Sequence, residues 1–364
     1  MGSGDGGRGR PGRRAAAAGA LVAAAGLGAG LVFALLDDRP ETRIVTRSPD
    51  GAGPLEPDSG SPGSATVPQP GSPGGGRPET IVALSRTEGL VVLLDSGTGG
   101  RVRVLATHPP PTDENLPSLQ GVALDRDRGI AYYDLAGGCG TGTIYRVPLD
   151  GRSPPVAVAD GISPAVSPDG RALAYAAPGP PMPEGGPGCH NTLVVRDLGT
   201  GEERRWRHPV SEDGYFEAAA FTKLAWAPDS RRLAVTHSYE GDSVSVLDTA
   251  VHRDLSEAVE VVVPGGGGDS RHPAWEAGSG RLAVVNSAFE CCFEDDYAGP
   301  PRALLVDVDR RLVKALLPAG RRPTWLDFDA SGEHLLYIEG GRLYRRSGGA
   351  RPVPVAAGLD AADW

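Results

Sequence analysis

From residue 79 onward one pattern of apolar and polar positions keeps returning. An apolar stretch runs into a tight turn, and an arginine or other polar residue then leads into an alternating apolar strand. Alternation with a period of two marks strands, and self-similarity along a chain marks a propeller or solenoid. Residues Ala165 to Tyr175 give the clearest copy, with Ser167-Pro168-Asp169-Gly170-Arg171 at its turn, and Ala225 to Val235 give the next. Trp275 to Val285 and Phe328 to Ile338 are looser copies, and Val122 to Tyr132 is weaker. Each reads as a hairpin, because Asp-Gly and its variants supply the positive φ that a tight strand turn needs.

A second hairpin follows every first one: Ile144 to Leu149, Leu193 to Leu198, Val244 to Leu247, Ala303 to Val308, and the strand around Leu343. Two hairpins make a four-stranded blade. The first copy has only three strands, Ile81 to Leu84, Leu90 to Leu94 and Val102 to Leu105, and lacks the innermost one. Pro352 to Trp364 matches Pro155 to Ser167 and stops where the turn belongs, so residues 359–364 are expected to complete blade one and close the ring. The predicted fold is an all-β, six-bladed β-propeller over residues 79–364, closed by its C-terminal strand.

These residues resemble the TolB-like, WD40-like β-propeller repeat, whose hallmark is the SPDG turn followed by Arg and an apolar strand. The resemblance implies the fold, which hosts unrelated activities. TolB carries a separate α/β domain before its propeller; here other segments stand in that place, so a role in a Tol-type envelope complex does not carry over.

Those segments differ in composition. Residues 15–36 run without a charge, about 33 Å as a helix, enough to cross a bilayer. Arg8, Arg10, Arg13 and Arg14 precede them and Asp37 and Asp38 follow, which places residues 1–14 in the cytoplasm and the propeller outside. The rival reading is a cleaved signal peptide and a secreted propeller. Residues 37–78, rich in Pro and Gly, read as a disordered linker.

The net charge of −10 argues against broad nucleic-acid binding. Lys223 and Lys314 are the only lysines, so nearly all the positive charge is arginine. No GxSxG elbow, P-loop, HExxH or strand-borne GxGxxG occurs, and the histidines are scattered singly. No catalytic residue, metal or cofactor is expected. Asp125 to Gly129 resembles part of a calcium loop but sits at a blade turn and reads as that turn.

The long connections, among them residues 176–191, 238–242 and 287–301, fall on one face of the disc, where binding is expected. Tyr239, Glu240, Asp242, Phe289, Phe293, Glu294, Asp295, Asp296 and Tyr297 form the candidate loop-face surface, aromatics within an acidic rim; a plain solvated surface is the competing reading. At the channel mouth, Gln120, Ser163, Lys223, Arg271, His272, Arg321 and Arg322 form a second candidate, a basic funnel suited to a carboxylate or phosphate; pairing of its arginines with neighbouring acids competes. Cys139 and Cys189 lie in loops of adjacent blades and are the expected disulfide, leaving Cys291 and Cys292 as a vicinal pair or free thiols.

The expected function is a membrane-tethered, extracytoplasmic, monomeric binding or scaffolding propeller. Its partner would be an envelope protein or polymer of unknown identity. The alternatives are a channel-centred hydrolase or lyase of the six-bladed type and a ligand sensor, the latter set back by a cytoplasmic segment too short to fold.

Overall fold

The computed structural model describes residues 80–364 apart from 113–115, 139, 180–188, 208–219, 239–240, 262, 264–267, 289–299 and 311. The expected span at 15–36 and the linker at 37–78 lie outside them. Among the described residues no helix is long and apolar enough to cross a membrane.

Six four-stranded antiparallel sheets form the blades of an all-β propeller. Blade two holds β4 (Ser118–Asp125), β5 (Ile130–Ala136), β6 (Gly142–Pro148) and β7 (Val156–Asp160). Blade three holds β8 (Ile162–Val166), β9 (Ala172–Ala177), β10 (Thr192–Asp197) and β11 (Glu203–Arg207). Blade four holds β12 (Ala220–Trp226), β13 (Arg232–Ser238), β14 (Asp242–Asp248) and the short β15 (Val259–Glu260). Blade five holds β16 (Gly268–Trp275), β17 (Arg281–Ala288), β18 (Arg302–Asp307) and β19 (Leu312–Ala315). Blade six holds β20 (Trp325–Phe328), β21 (His334–Glu339), β22 (Arg342–Ser347) and β23 (Val353–Ala357).

Blade one joins the two ends of the described chain. Its outer strands β1 (Thr80–Ser85), β2 (Leu90–Asp95) and β3 (Arg101–Thr107) are completed by β24 (Ala361–Asp363), which pairs with β1 through Val82↔Asp363, Ala83↔Ala362 and Leu84↔Ala361. The closure expected from the sequence is present. It buries Ile81, Val82, Ala83 and Leu84 completely and brings Leu359 and Trp364 into the same apolar cluster.

The repeated turn explains the repeated sequence. Ser167 Oγ accepts the Ala172 N–H at 2.9 Å and donates to Asp169 at 2.6 Å, while Asp169 accepts the Arg171 N–H at 3.1 Å. Gly170 closes the turn at φ +65°, which only glycine adopts freely. In blade four Asp229 accepts the N–H groups of Arg231 and Arg232, and Ser230 takes the strained φ of +54° in glycine's place.

Neighbouring blades are tied at two radii. Near the axis, Trp226 Nε1 donates to the Ala165 carbonyl at 3.1 Å and Trp275 Nε1 to the Ala225 carbonyl at 3.0 Å. Farther out, arginines reach main-chain carbonyls of the adjacent blade: Arg103 to Asp150, Arg128 to Gly170, Arg196 to Val158, Arg204 to Thr249, Arg345 to Ser96 and Arg346 to Leu316.

Candidate functional site at the channel

The inner strands share one register, so the ring contains its own control. Ala123, Ala165, Ala225, Ala274 and Ala362 occupy equivalent positions, each paired with the middle of the second strand, and in blade six that position is Asp327. Two residues earlier stand Gly121, Ser163, Lys223, His272, Trp325 and Asp360. A repeat that needed only packing would keep small apolar residues here; this one carries charge. The bulges between Leu119 and Val122, Ile162 and Ala165, Phe221 and Lys223, and Arg271 and Ala274 fall at this level. Ser163 and His272 adopt φ of +57° and +52°, strained for side-chain-bearing residues.

Five of the sequence candidates are brought together with Arg86, a group that the sequence did not single out. Lys223 Nζ lies 5.5 Å from the centre of the Trp325 ring, so its side chain reaches from blade four to blade six. Burial holds the His272 imidazole down at about 3, with Lys223, Arg271 and Arg86 all close enough to add repulsion. Arg86 donates through Nε to the Leu119 carbonyl at 2.7 Å and through its guanidinium to Gln120 Oε1. Arg271 faces Asp242 at 3.8 Å. Ser163 Oγ donates to the Thr222 carbonyl at 2.6 Å, within the wall.

Arg321 and Arg322 are not brought to this cluster. Arg321 pairs with Glu339 at 2.7 Å and stacks on Tyr344, and the Arg322 N–H donates to the same carboxylate at 2.6 Å. Of the loop-face candidates, Asp242 begins β14, and its N–H donates to Asp269 at 2.9 Å. Tyr239, Glu240, Phe289, Phe293, Glu294, Asp295, Asp296 and Tyr297 lie outside the described residues, as do Cys139, Cys291 and Cys292. Cys189 is buried and disulfide-bonded.

Beneath the cationic level sit three carboxyl groups. Asp134, fully buried in β5, accepts N–H groups from Gln120 at 3.1 Å, Gly121 at 2.8 Å and Ser163. Burial pushes it up to about 6 against those three bonds and Lys223. Gly121 is needed there, because a Cβ would stand 3.2 Å from Asp134 Oδ2 and 3.3 Å from Ser163 Cα. Asp363 accepts the Leu124 N–H at 2.6 Å and the Trp364 N–H at 2.8 Å, one on each carboxyl oxygen. Asp327 is hydrogen-bonded to Asp363, and burial followed by that neighbouring charge raises it well above the usual carboxylate range. Asp327, Asp363 and Lys223 line a cavity of about 450 Å³ that also touches Trp226, Trp275 and Phe328 and runs to the short turns at Pro168 and Pro228.

Asp327 yields a stability prediction with a definite sign. A raised acid contributes stability that is fully present below its unfolded value near 3.8 and is lost as pH rises through the folded value. Asp327→Ala, which installs the residue of the other five blades, should therefore raise Tm at pH 8 by a few degrees, roughly the effect of a 1 kcal/mol change in a domain of this size. At pH 4 the gain should vanish. Calorimetric melts at both values check it, and equal shifts would exclude a protonated Asp327.

Among the described residues, no group of three or more His, Cys, Asp or Glu is placed to hold a metal ion. The channel offers hydrogen-bond donors from Lys223, Arg271 and Arg86 together with the carboxyl groups of Asp134, Asp327 and Asp363, a chemistry suited to binding.

No family model and no curated protein matches the sequence. Solved structures do match the fold. TolB from Acinetobacter baumannii superposes with a TM-score of 0.53 at 15% identity, over 78% of this chain and 65% of that one. A putative TolB from Agrobacterium tumefaciens gives 0.50 at 13%, over 76% and 88%. This chain thus spans 65% of the length of the first and 88% of the second. A puromycin-hydrolyzing peptidase from Mycobacterium tuberculosis aligns at 0.47 and 16%, over 78% and 46%, a likeness that carries no argument about activity. The neighbours are TolB-like β-propellers, and at these identities the likeness concerns fold alone.

Proposed function

We propose that this chain is a membrane-tethered propeller outside the cytoplasm that acts by binding an envelope protein or polymer. The observation that carries this reading is the distribution of connections around a closed, rigid ring. On one face every inner hairpin is short, as at 126–129, 167–171, 227–231, 276–280 and 329–333. On the other, the connection between second and third strands varies from 340–341 in blade six to 178–191 in blade three and 289–301 in blade five. Uneven loops on a rigid scaffold are how a fold acquires a partner-specific surface. The tether at residues 15–36 is the reading the charge pattern favours, with Arg13 and Arg14 before the apolar run and Asp37 and Asp38 after it.

Proximity labelling from the propeller in intact cells tests this function. The expected result is a small, reproducible set of envelope components that shrinks when Phe293, Asp295, Asp296 and Tyr297 are replaced together by Ala or Ser. An unchanged set would remove the long-loop face as the contact surface, and a set of cytoplasmic proteins would reverse the topology.

A further inference from the structure

We propose that the waist of the channel is a binding site for an oxyanion, a carboxylate or a phosphate group, held by Lys223, Arg86 and Arg271 with the Trp325 indole and the His272 imidazole. This goes beyond the loop-face reading and stands whether or not that face contacts a partner.

The first argument is unpaired donors. Trp325 is 2% exposed, yet its Nε1–H has no partner among the described residues. The same holds for His272 Nδ1 and Arg271 Nε. A buried donor left unmade costs about 1–3 kcal/mol, so the Trp325 indole and Arg271 Nε call for an acceptor, and the His272 imidazole joins them in the tautomer protonated at Nδ1. His272 and Trp325 hold equivalent positions in adjacent inner strands, and Lys223 holds that position in the blade before them.

The second argument is charge without a direct ion pair. Lys223 makes no ion pair among the described residues and rests instead on the Trp325 ring. Its carboxyl neighbours are engaged elsewhere. Asp134 is occupied by three backbone N–H groups, and Asp327 is hydrogen-bonded to Asp363. Arg86 spends its side chain on a carbonyl and an amide, both neutral, and keeps its full charge. Arg271 meets Asp242 only at 3.8 Å. Asp360 lies at the same level, but its carboxylate accepts the Arg86 backbone N–H at 2.8 Å. Glu339 is taken by Arg321, and Asp269 by the Asp242 N–H. Among the described residues, therefore, neither Lys223 nor Arg86 has a carboxylate in direct contact with its charged head.

The third argument is the repeat itself. Nothing in the blade fold requires Lys at 223, since the equivalent residues run from Gly121 to Trp325. In a chain whose positive charge is almost all arginine, a lysine at the hub is a departure the blade repeat does not account for. The strained φ of Ser163 and His272 marks the same level as held against its local preference.

The test uses the full chain in detergent, with inorganic phosphate and acetate as probes and chloride at matched ionic strength as control. Tryptophan emission reads Trp325, and the His272 Cε1–H resonance reads the site through its titration. The expected result is a saturable change with phosphate or acetate, an upward move of the His272 titration when bound, and affinity lower by at least about tenfold in Lys223→Met. Lys223→Arg should recover most of it, which separates lost charge from lost folding. A short peptide and its C-terminal amide locate the source: tighter binding of the free acid than of acetate assigns the site to a polypeptide carboxylate, and equal binding assigns it to a free anion. No saturation by any probe, or equal binding by wild type and Lys223→Met with matching melts, overturns the site and leaves the channel as one that holds water only.

Discussion

Removing residues 359–364 should abolish cooperative folding of the propeller at ambient temperature or lower its Tm by more than 15 °C, by rough estimate. The segment supplies β24, and with it the whole inner edge of blade one. Leu359 and Trp364 are 3% and 4% exposed, so their burial alone is worth about 3–6 kcal/mol. Against a typical total of roughly 5–15 kcal/mol, that is a large share before any hydrogen bond is considered. The bonds add to it. Asp363 accepts from Leu124, Arg126 donates to the Trp364 carbonyl at 3.0 Å, and the Asp360 N–H donates to Leu84 at 2.9 Å. What remains would expose a fully apolar strand, Ile81 to Leu84, as an unpaired edge. A circular-dichroism melt of the full chain with and without the six residues decides the matter, and a Tm unchanged by their loss would mean that the ring closes in another way.

Asp134→Ala should be the most damaging single substitution at the channel, costing about 3–5 kcal/mol. Its carboxylate accepts the backbone N–H groups of Gln120, Gly121 and Ser163, and it joins blade two to blade three. Alanine strands all three donors beside a void. Asp134→Asn should fall between, because its amide keeps one oxygen for Gln120 and Gly121 but turns a donor toward Ser163. The wild type also carries a pH signature. With its value raised to about 6, Asp134 contributes stability that is complete below pH 3.8 and lost as pH rises through about 6. Urea melts at pH 5 and pH 8 should show that slope flattened in Asp134→Ala. A cost below about 1 kcal/mol would show that water replaces the carboxylate at no loss.

The fold was legible because each blade restates it. The SPDG turn is read from sequence as easily as from coordinates, since Ser167, Asp169 and Gly170 each have a local task that no distant residue alters. The closing strand was legible for the same reason, as a repeat cut off in register. The site was legible only in part. Lys223, His272, Ser163 and Gln120 could be placed because the start of an inner strand is fixed by its turn. Arg321 and Arg322 precede β20 and looked equivalent, but Glu339 at the end of β21 captures both, a pairing no repeat announces. Arg86 escaped notice because its connection, 86–89, is short in blade one. Asp134 is one acid inside an apolar run, Ala131 to Leu135, and that interruption was the signal available. Asp327 needed the register of all six inner strands before its departure from alanine stood out.

The outer arginines give the ring a property that bears on how such sequences diverge. Each reaches a main-chain carbonyl of an adjacent blade, as Arg103 does at Asp150, Arg204 at Thr249 and Arg346 at Leu316. An ion pair across a seam would bind two side chains to change together. A carbonyl is present whatever residue carries it, so a blade can replace its surface residue by residue while its neighbour's arginine still finds an acceptor. A seam held in this way constrains one position instead of two, and a shared six-bladed frame can outlast nearly all shared sequence.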